Sequence, residues 1–487
     1  MREFLVEECE ALNTPEMLVE QLSGEPGIVL LRSGTAAETL QGPQGSRSGQ
    51  DRFSFVTARP FLTFRSFGSK CILESPGANA RFQFGNPWHL LDSLISRYEC
   101  LDEWDVPFPL GGCFGHWGYD LKNFFEPKLS RRAVNDLELP DCHLGFYDSL
   151  VAFDHFLGKT WIVSTGLAAD GSRSEGRGRR QSEYWRGLLA HRRERAAPGG
   201  GASVTKFLRP AVVSSNLSRE DFIAKVRRAQ ACIQAGDIYQ VNLSQRLATP
   251  IGLSGWEFYN RLSAISPAPY SAFLDCGDFQ LVSSSPELFL GLSGRHVTTR
   301  PIKGTRARSV DPARDAQLSY ELQTSPKETA ELVMITDLLR NDLGKVCEFG
   351  SVQVAELFRL ERYPHVQHLV STVEGRLRRE MTHFGAFASC FPGGSVTGAP
   401  KFRAMQIIDE LEPVTRGPYT GALGYVGFNR ESQLSIVIRA AICRKGMAYF
   451  QVGAGIVADS DPAAEFDETI SKARGFLDAL EKSCMSG

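Results

Sequence analysis

The feature that most constrains this chain is the order of its short apolar runs. "FQLVSSS" (279–285), "LFLGLS" (288–293) and "HVTTRPI" (296–302) follow one another with no helical stretch between them. "GALGYVGF", "LSIVIRAAIC" and "MAYFQVGAG" do the same between Gly421 and Gly455. Such runs, rich in β-branched and aromatic residues and bounded by Gly, Ser or Pro, read as strands. "GIVLLRSG" and "TWIVSTG" add more of them before Thr165. Helices come only at intervals. One follows an N-cap at Ser218, with Asp221 three residues on, apolar residues at Phe222, Ile223, Val226, Ala229 and Ile233, and a stop at Gly236. A second opens at Ser325-Pro326-Lys327-Glu328 and continues to about Asn341, and a last one runs from about Pro462 to Lys482. Strand runs with interspersed helices predict an antiparallel α+β fold, not a repeating βαβ order. No internal repeat of 20–50 residues is present.

Composition then narrows the function. The 487 residues are 42% hydrophobic, enough for a large core. A formal charge of −2 gives no electrostatic case for nucleic acid. No apolar run approaches the roughly 20 residues needed to span a bilayer, and the acidic start "MREFLVEECEAL" lacks a signal-peptide core. The 11 cysteines are scattered, with no CxxC pair, which predicts reduced thiols in a cytoplasmic protein. Residues 166–204 change character. "ADGSRSEGRGRR" and "AAPGGGAS" surround an Arg-rich helical stretch from Gln181 to Arg195. This reads as a surface excursion or linker between an N-terminal region, 1–165, and a C-terminal region, 205–487. Its arginines form a solvated face or receive an acidic partner.

Three motifs mislead. "VGAGIVA" (452–458) fits a dinucleotide fingerprint, but no helix opens at its glycines and no second strand follows. Its glycines still allow backbone N–H groups to approach an anion closely. "GGSVTGAPK" (393–401) nearly fits a phosphate loop, but Ala399-Pro400 displaces the lysine; a tight turn offering N–H groups to a carboxylate suits it better. "GGCFGHW" (111–117) resembles a cysteine elbow without the base that elbow needs, so Cys113 reads as a buried thiol.

The remaining candidates are charged residues in apolar settings. Glu331 shares a helical face with Met334, Ile335 and Leu338. A carboxylate there is either paired, with Arg340 or another arginine, or binds a ligand. Glu465 and Glu468 lie in the first turns of the last helix, where acids are favourable anyway. Their place just after the glycine stretch also suits a divalent cation bridging acids to an anionic substrate, the oxygen-rich shell that Mg²⁺ prefers. Glu287 precedes an apolar run. Arg439 is a lone charge in "LSIVIRAAIC", to be matched by an acid or by a substrate carboxylate. His368 is a core histidine or a site residue. Lys303, framed by Ile302 and Gly304 at a strand end, has no reason to be a surface lysine.

Together these motifs resemble a known family. "GDIYQVNLSQR", "SSSPELF", "RPIKGT", "ELVMITDLLRNDLG", "HLVST", "FPGGSVTGAPK", "SIVIRA" and "VGAGIVADSDP" stand in the order found in chorismate-utilising enzymes, which include the anthranilate, aminodeoxychorismate, isochorismate and salicylate synthases. The resemblance is dense over residues 218–483 and weaker before them. It implies a two-layer antiparallel β-sandwich flanked by helices, of the anthranilate synthase component I type, with residues 166–204 an insertion. At Lys303 the anthranilate synthases resemble PIAGT, whereas "PIKGT" is similar to aminodeoxychorismate synthase component I. That resemblance implies amination of chorismate at carbon 4. Lys303 would add at carbon 2, and ammonia would then expel it from carbon 4, which is covalent catalysis. Glu287 would be the general acid at the departing hydroxyl, and His368 would sit beside the ring. Glu331 and Glu468 would bind Mg²⁺, with Glu465 a ligand or a neighbour. Arg439, Tyr425, Lys472 and the backbone of Gly453, Ala454 and Gly455 would hold a carboxylate in a pocket shaped by Thr397, Gly398 and Ala399. Ammonia would come from a separate glutamine amidotransferase subunit, and the product would feed 4-aminobenzoate and folate synthesis. The alternative is anthranilate synthase component I, which aminates carbon 2 and releases pyruvate. "LLRSG", with Arg32 where relatives carry an acid, and "SPAPYSAF" resemble a tryptophan pocket, naming Ser33, Pro269 and Tyr270.

Overall fold

The computed structural model describes residues 5–10, 13–33, 52–100, 106–190, 213–363 and 365–481. Two 12-stranded antiparallel sheets face each other. The first runs, edge to edge, through Leu5–Cys9, Lys159–Ser164, Ser149–Asp154, Phe53–Thr57, Val29–Ser33, Tyr270–Asp275, Gln280–Ser285, Ala440–Arg444, Met447–Ile456, Gln240–Pro250 and Ser214–Ser215, with Gly398–Ala399 joined to Gln240–Pro250. The second runs through Ile302–Ala307, Val366–Arg376, His296–Arg300, Leu288–Ser293, Glu431–Ile436, Ala422–Gly427, Gly112–Trp117, Cys142–Tyr147, Leu62–Phe67, Lys70–Glu74 and Arg81–Phe84, with Gln353–Arg362 beside Val366–Arg376. Each sheet takes strands from before residue 165 and after residue 213.

The strands that line the interface are buried on both faces, so they read as continuous apolar runs rather than alternating ones. Between the sheets, Val29, Phe55, Leu150, Ala272 and Leu281 pack against Phe114, Tyr147, Leu423 and Tyr425. Outside the first sheet, helices Pro15–Gln21, Glu175–Ala190, Gly255–Ile265 and Pro462–Glu481 cover Leu30, Val151, Phe273 and Phe450. Outside the second, Pro87–Tyr98 and His383–Cys390 cover Phe64, Phe146 and Phe289. The helix beginning Glu175 is part of this packing. Trp185 and Leu189 are buried, and Trp185 Nε1 donates to Ser149 Oγ at 3.0 Å, so residues 175–190 are not a free linker. Residues 191–204 lie outside the described residues.

Helix ends follow their local signals. Ser218 caps Arg219–Gln234 by accepting from Asp221 N at 3.0 Å. Ser325 caps Pro326–Gly344, a few residues longer than predicted. One predicted strand differs. "LSIVIRAAIC" is two strands, Glu431–Ile436 in the second sheet and Ala440–Arg444 in the first, and Arg439 sits where the chain crosses between them at φ 49°. The strand read at "MAYFQVGAG" is Met447–Ile456. Among the described residues no helix is long and apolar enough to cross a membrane.

Candidate active site

Two crossovers between the sheets bring the site together. The chain leaves the first sheet at Ser285 and enters the second at Leu288, with Glu287 between. It returns through Arg439. These corners are stitched to each other. Ser285 Oγ donates to Ile436 O at 2.6 Å, Ile436 N donates to Glu287 O at 3.1 Å, and Ser284 N donates to Arg439 O at 2.9 Å. Glu287 is only 5% exposed. Burial pushes its carboxyl up to about 7, against smaller opposing pulls from Ser395 and Lys303. It is therefore about half protonated near neutral pH and able to donate.

Lys303 is aimed by a bulge. Strand Ile302–Ala307 pairs with Val366–Arg376, and its register slips between Lys303 and Thr305. Gly304 takes φ 70° there, and a Cβ on it would lie 2.6 Å from Leu322 Cδ1. Only glycine fits, which accounts for the Lys303-Gly304 pair. Lys303 Nζ lies 3.6 Å from Glu331 and also draws on the carboxyls of Glu287 and Glu468. A Cβ on Gly455 would come 3.7 Å from Nζ. The lysine thus pairs with Glu331, pulls electrostatically on Glu287 and Glu468, and lies against the glycine strand.

His368 supports this bulge. Its Nδ1 is 2.9 Å from Thr305 Oγ1 and 3.3 Å from Gly304 O. Burial first, then Arg439, lowers the ring to about 4, so the imidazole is neutral. Arg439 is half-buried, and among the described residues it has no carboxylate partner within 4.0 Å; burial alone lowers its hold on its proton. The ladder between Ala440–Arg444 and Met447–Ile456 ends at Ala441↔Phe450, leaving that edge of Gly453, Ala454 and Gly455 open beside Arg439. A guanidinium next to an open glycine backbone offers the donors that a carboxylate can accept from. Lys472 Nζ donates to Gly453 O at 2.8 Å and pairs with Glu468 at 2.7 Å, tying the last helix to this strand. Thr397 Oγ1 donates to Gly393 O at 3.0 Å, and Gly398–Ala399 pair with Gln240 and Val241.

Glu331 partners Lys303, not Arg340, which pairs with Asp337 at 2.9 Å. Burial pushes Glu468 up, but Lys472, Lys327 and Lys303 outweigh it and hold its carboxyl below the usual range. Burial raises Glu465, against a hydrogen bond from Ser460. Among the described residues no three His, Cys, Asp or Glu side chains form a metal-holding group. Glu331 and Glu468 are of the ligand type Mg²⁺ takes, one or two protein carboxylates with water and substrate oxygens filling the shell, and here Lys303 and Lys472 are their counter-charges.

Tyr425 requires correction. Its ring stacks on Phe114 at 5.3 Å and meets Phe55 edge-on at 5.3 Å in the inter-sheet core, because it alternates inward with Leu423 on its strand. The tyrosine at the glycine strand is Tyr419, whose hydroxyl would be 2.7 Å from a Cβ on Gly453. Gln240 was also missed. Its Nε2 would be 2.6 Å from a Cβ on Gly455, and its buried Oε1 has no hydrogen-bond partner among the described residues. A glutamine in the apolar-alternating "DIYQVNLSQ" was the available signal. Ser33, Pro269 and Tyr270 do meet, in a cleft closed by Leu423, Gly424 and Ser435 of the other sheet, with Tyr270 registered opposite Ser33. The Arg32 side chain turns away, 2.6 Å from Glu16 and 2.9 Å from His155.

The profile of the chorismate binding enzyme family matches residues 47–478. The chain belongs to the chorismate-binding enzymes. It is 39% identical over 437 residues to anthranilate synthase component 1 of Acetivibrio thermocellus, covering 89% of this chain and 87% of that one. It is 37% identical over 467 residues to aminodeoxychorismate synthase component 1 of Klebsiella aerogenes, covering 96% of each. Among solved structures, anthranilate synthase component I from Streptococcus pneumoniae TIGR4 superposes with a TM-score of 0.76 at 30% identity, over 91% of this chain and 96% of that one. The α+β arrangement of two large antiparallel sheets with outer helices is thus that of anthranilate synthase component I.

Proposed function

We propose that this chorismate-binding enzyme aminates carbon 4 of chorismate to 4-amino-4-deoxychorismate. Relatives at nearly equal identity carry both synthase names, so the choice rests on Lys303. The observation that supports it is that Nζ lies 3.6 Å from Glu331 and 3.7 Å from where a Cβ on Gly455 would stand. A surface lysine has no such setting. In this reading the open edge of Gly453–Gly455, with Arg439 and Tyr419, holds one substrate carboxylate. Glu331 and Glu468, with Glu465 beside them, hold Mg²⁺, which supplies positive charge for the other carboxylate when bound. Once its ammonium proton has left to solvent, the Lys303 amine forms a bond to carbon 2 while Glu287 gives its proton to the departing 4-hydroxyl, which leaves as water. Ammonia then bonds to carbon 4 and the lysine amine leaves carbon 2. His368 stays neutral and keeps the bulge that aims Lys303. Ammonia comes from a separate glutamine amidotransferase subunit, and the product serves 4-aminobenzoate and folate synthesis.

The test is product identity. The protein is incubated with chorismate, Mg²⁺ and ammonium, beside Lys303→Ala, and products are read by mass spectrometry and pyruvate release. The expected result is a 4-amino product retaining its enolpyruvyl group, lost in the variant. Anthranilate with released pyruvate would overturn the reading in favour of anthranilate synthase component I.

A further inference from the structure

Behind the pocket lies a buried ion pair that takes no part in the chemistry above. Arg416 is 2% exposed and uses all five of its N–H donors. Nε donates to Glu412 Oε2 at 2.8 Å, and Nη2 donates to Glu412 Oε1 at 2.7 Å and to Asn242 O at 2.7 Å. Nη1 donates to Val396 O and Thr420 Oγ1, each at 3.1 Å. The guanidinium lies 4.7 Å from the ring centre of Tyr119 and 5.7 Å from that of Tyr419. Glu412 in turn accepts from Ser244 N at 2.8 Å and Ser244 Oγ at 3.0 Å.

These acceptors belong to separate walls of one pocket. Asn242 is registered opposite Gly455, and Ser244 opposite Gly453. Val396 immediately precedes Thr397, Gly398 and Ala399. Thr420 follows Tyr419, whose hydroxyl faces Gly453. The strand Gln240–Pro250, which carries the glycine strand as its ladder partner, the loop and the tyrosine segment converge on one guanidinium.

We propose that Arg416, held by Glu412, is a positioning residue that sets the spacing of the walls receiving the substrate carboxylate. The proposal rests on reading the Gly453–Gly455 edge as that receptor. A planar fork of five donors does this where an ammonium cannot, since lysine offers three donors from a single point.

The full chain is assayed with chorismate, Mg²⁺ and ammonium as Arg416→Lys, Glu412→Gln and Ser244→Ala, with Tm measured for each. Ser244→Ala removes one outer bond to Glu412 and leaves Arg416 intact, so it tests the arrangement with a folded protein even where the lysine variant is lost. The expected result is a rise in chorismate KM of about ten-fold or more for Arg416→Lys and Glu412→Gln, a smaller rise for Ser244→Ala, and kcat held within about three-fold. A merely structural role would lower Tm and leave KM in place, and that result would overturn the proposal. Wild-type protein that neither binds nor consumes chorismate would instead overturn the receptor reading beneath it.

Discussion

Replacing Glu287 with glutamine should stabilise the protein at alkaline pH while abolishing its activity. The carboxyl is pushed by burial from 4.5 to about 7 in the folded chain. Between those values the folded state holds a proton that the unfolded state has lost, so this group's contribution to stability falls as pH rises. Above 7 both states are ionised, and the native state bears the whole penalty of a buried charge. At 1.36 kcal/mol per pH unit, the gap from 4.5 to about 7 amounts to about 3 kcal/mol. The substituted amide does not titrate and can still bond Ser395. Relative to wild type, Glu287→Gln should therefore gain up to about 3 kcal/mol between pH 4.5 and pH 8, read by urea unfolding at both pH values. Chorismate turnover should fall by roughly 10²–10⁴-fold, the usual contribution of a general acid. In wild type, kcat/KM should decline as pH rises through about 7, when the acid loses its proton. A stability difference that is the same at pH 4.5 and pH 8 would refute the reasoning, since it would mean that the carboxyl titrates normally.

Other outcomes follow from the same geometry. Gly455→Ala sets a Cβ 2.6 Å from Gln240 Nε2, a side-chain end that can shift, so Tm should hold while kcat/KM falls about a hundred-fold. Arg439→Ala removes the half-buried, acid-free guanidinium and should raise chorismate KM roughly 30-fold, for about 2 kcal/mol of lost binding; an unchanged KM would remove Arg439 from the pocket. Tyr419→Phe should raise KM, whereas Tyr425→Phe, in the aromatic core, should leave it within about two-fold. Chelation with EDTA should stop turnover, and Glu468→Gln should raise the Mg²⁺ concentration for half-maximal rate at least about ten-fold; a rate indifferent to EDTA would contradict the metal assignment.

The local part of the structure was legible. Ser218 and Ser325 announce helices because a cap is decided by a few adjacent residues. The antiparallel arrangement followed from strand runs packed too closely in sequence for crossover helices. The crossovers themselves were hidden. "LSIVIRAAIC" is uniformly apolar on either side of Arg439, and neither glycine nor proline marks the left-handed residue at which the chain changes sheets. The strand at "MAYFQVGAG" was legible, but not how closely Tyr419 and Gln240 approach its Gly453 and Gly455. Tyr419 and Tyr425 are both aromatic residues near a glycine. Only the alternation along Ala422–Gly427, which points Tyr425 into the core, separates their roles.

The crossovers also explain why the charged residues can be held in an interior. Inside a ladder, backbone N–H and C=O groups are consumed by neighbouring strands. Where the chain leaves one sheet for the other, some are released and must find partners. Here they find each other, through Ser284, Ser285 and Ile436, and this fixes Glu287 and Arg439 by main-chain bonds rather than by long flexible side chains. Lys303 is fixed in a related way, by a bulge that gives up one register position. The main chain that carries the acid and the cation is thus already ordered, which leaves less backbone entropy to lose than a loop would. Because the corner strands come from one sheet each, both sheets must be assembled before the site exists. Strands before residue 165 complete both sheets, so the candidate residues after 205 depend on a fold that they do not form by themselves.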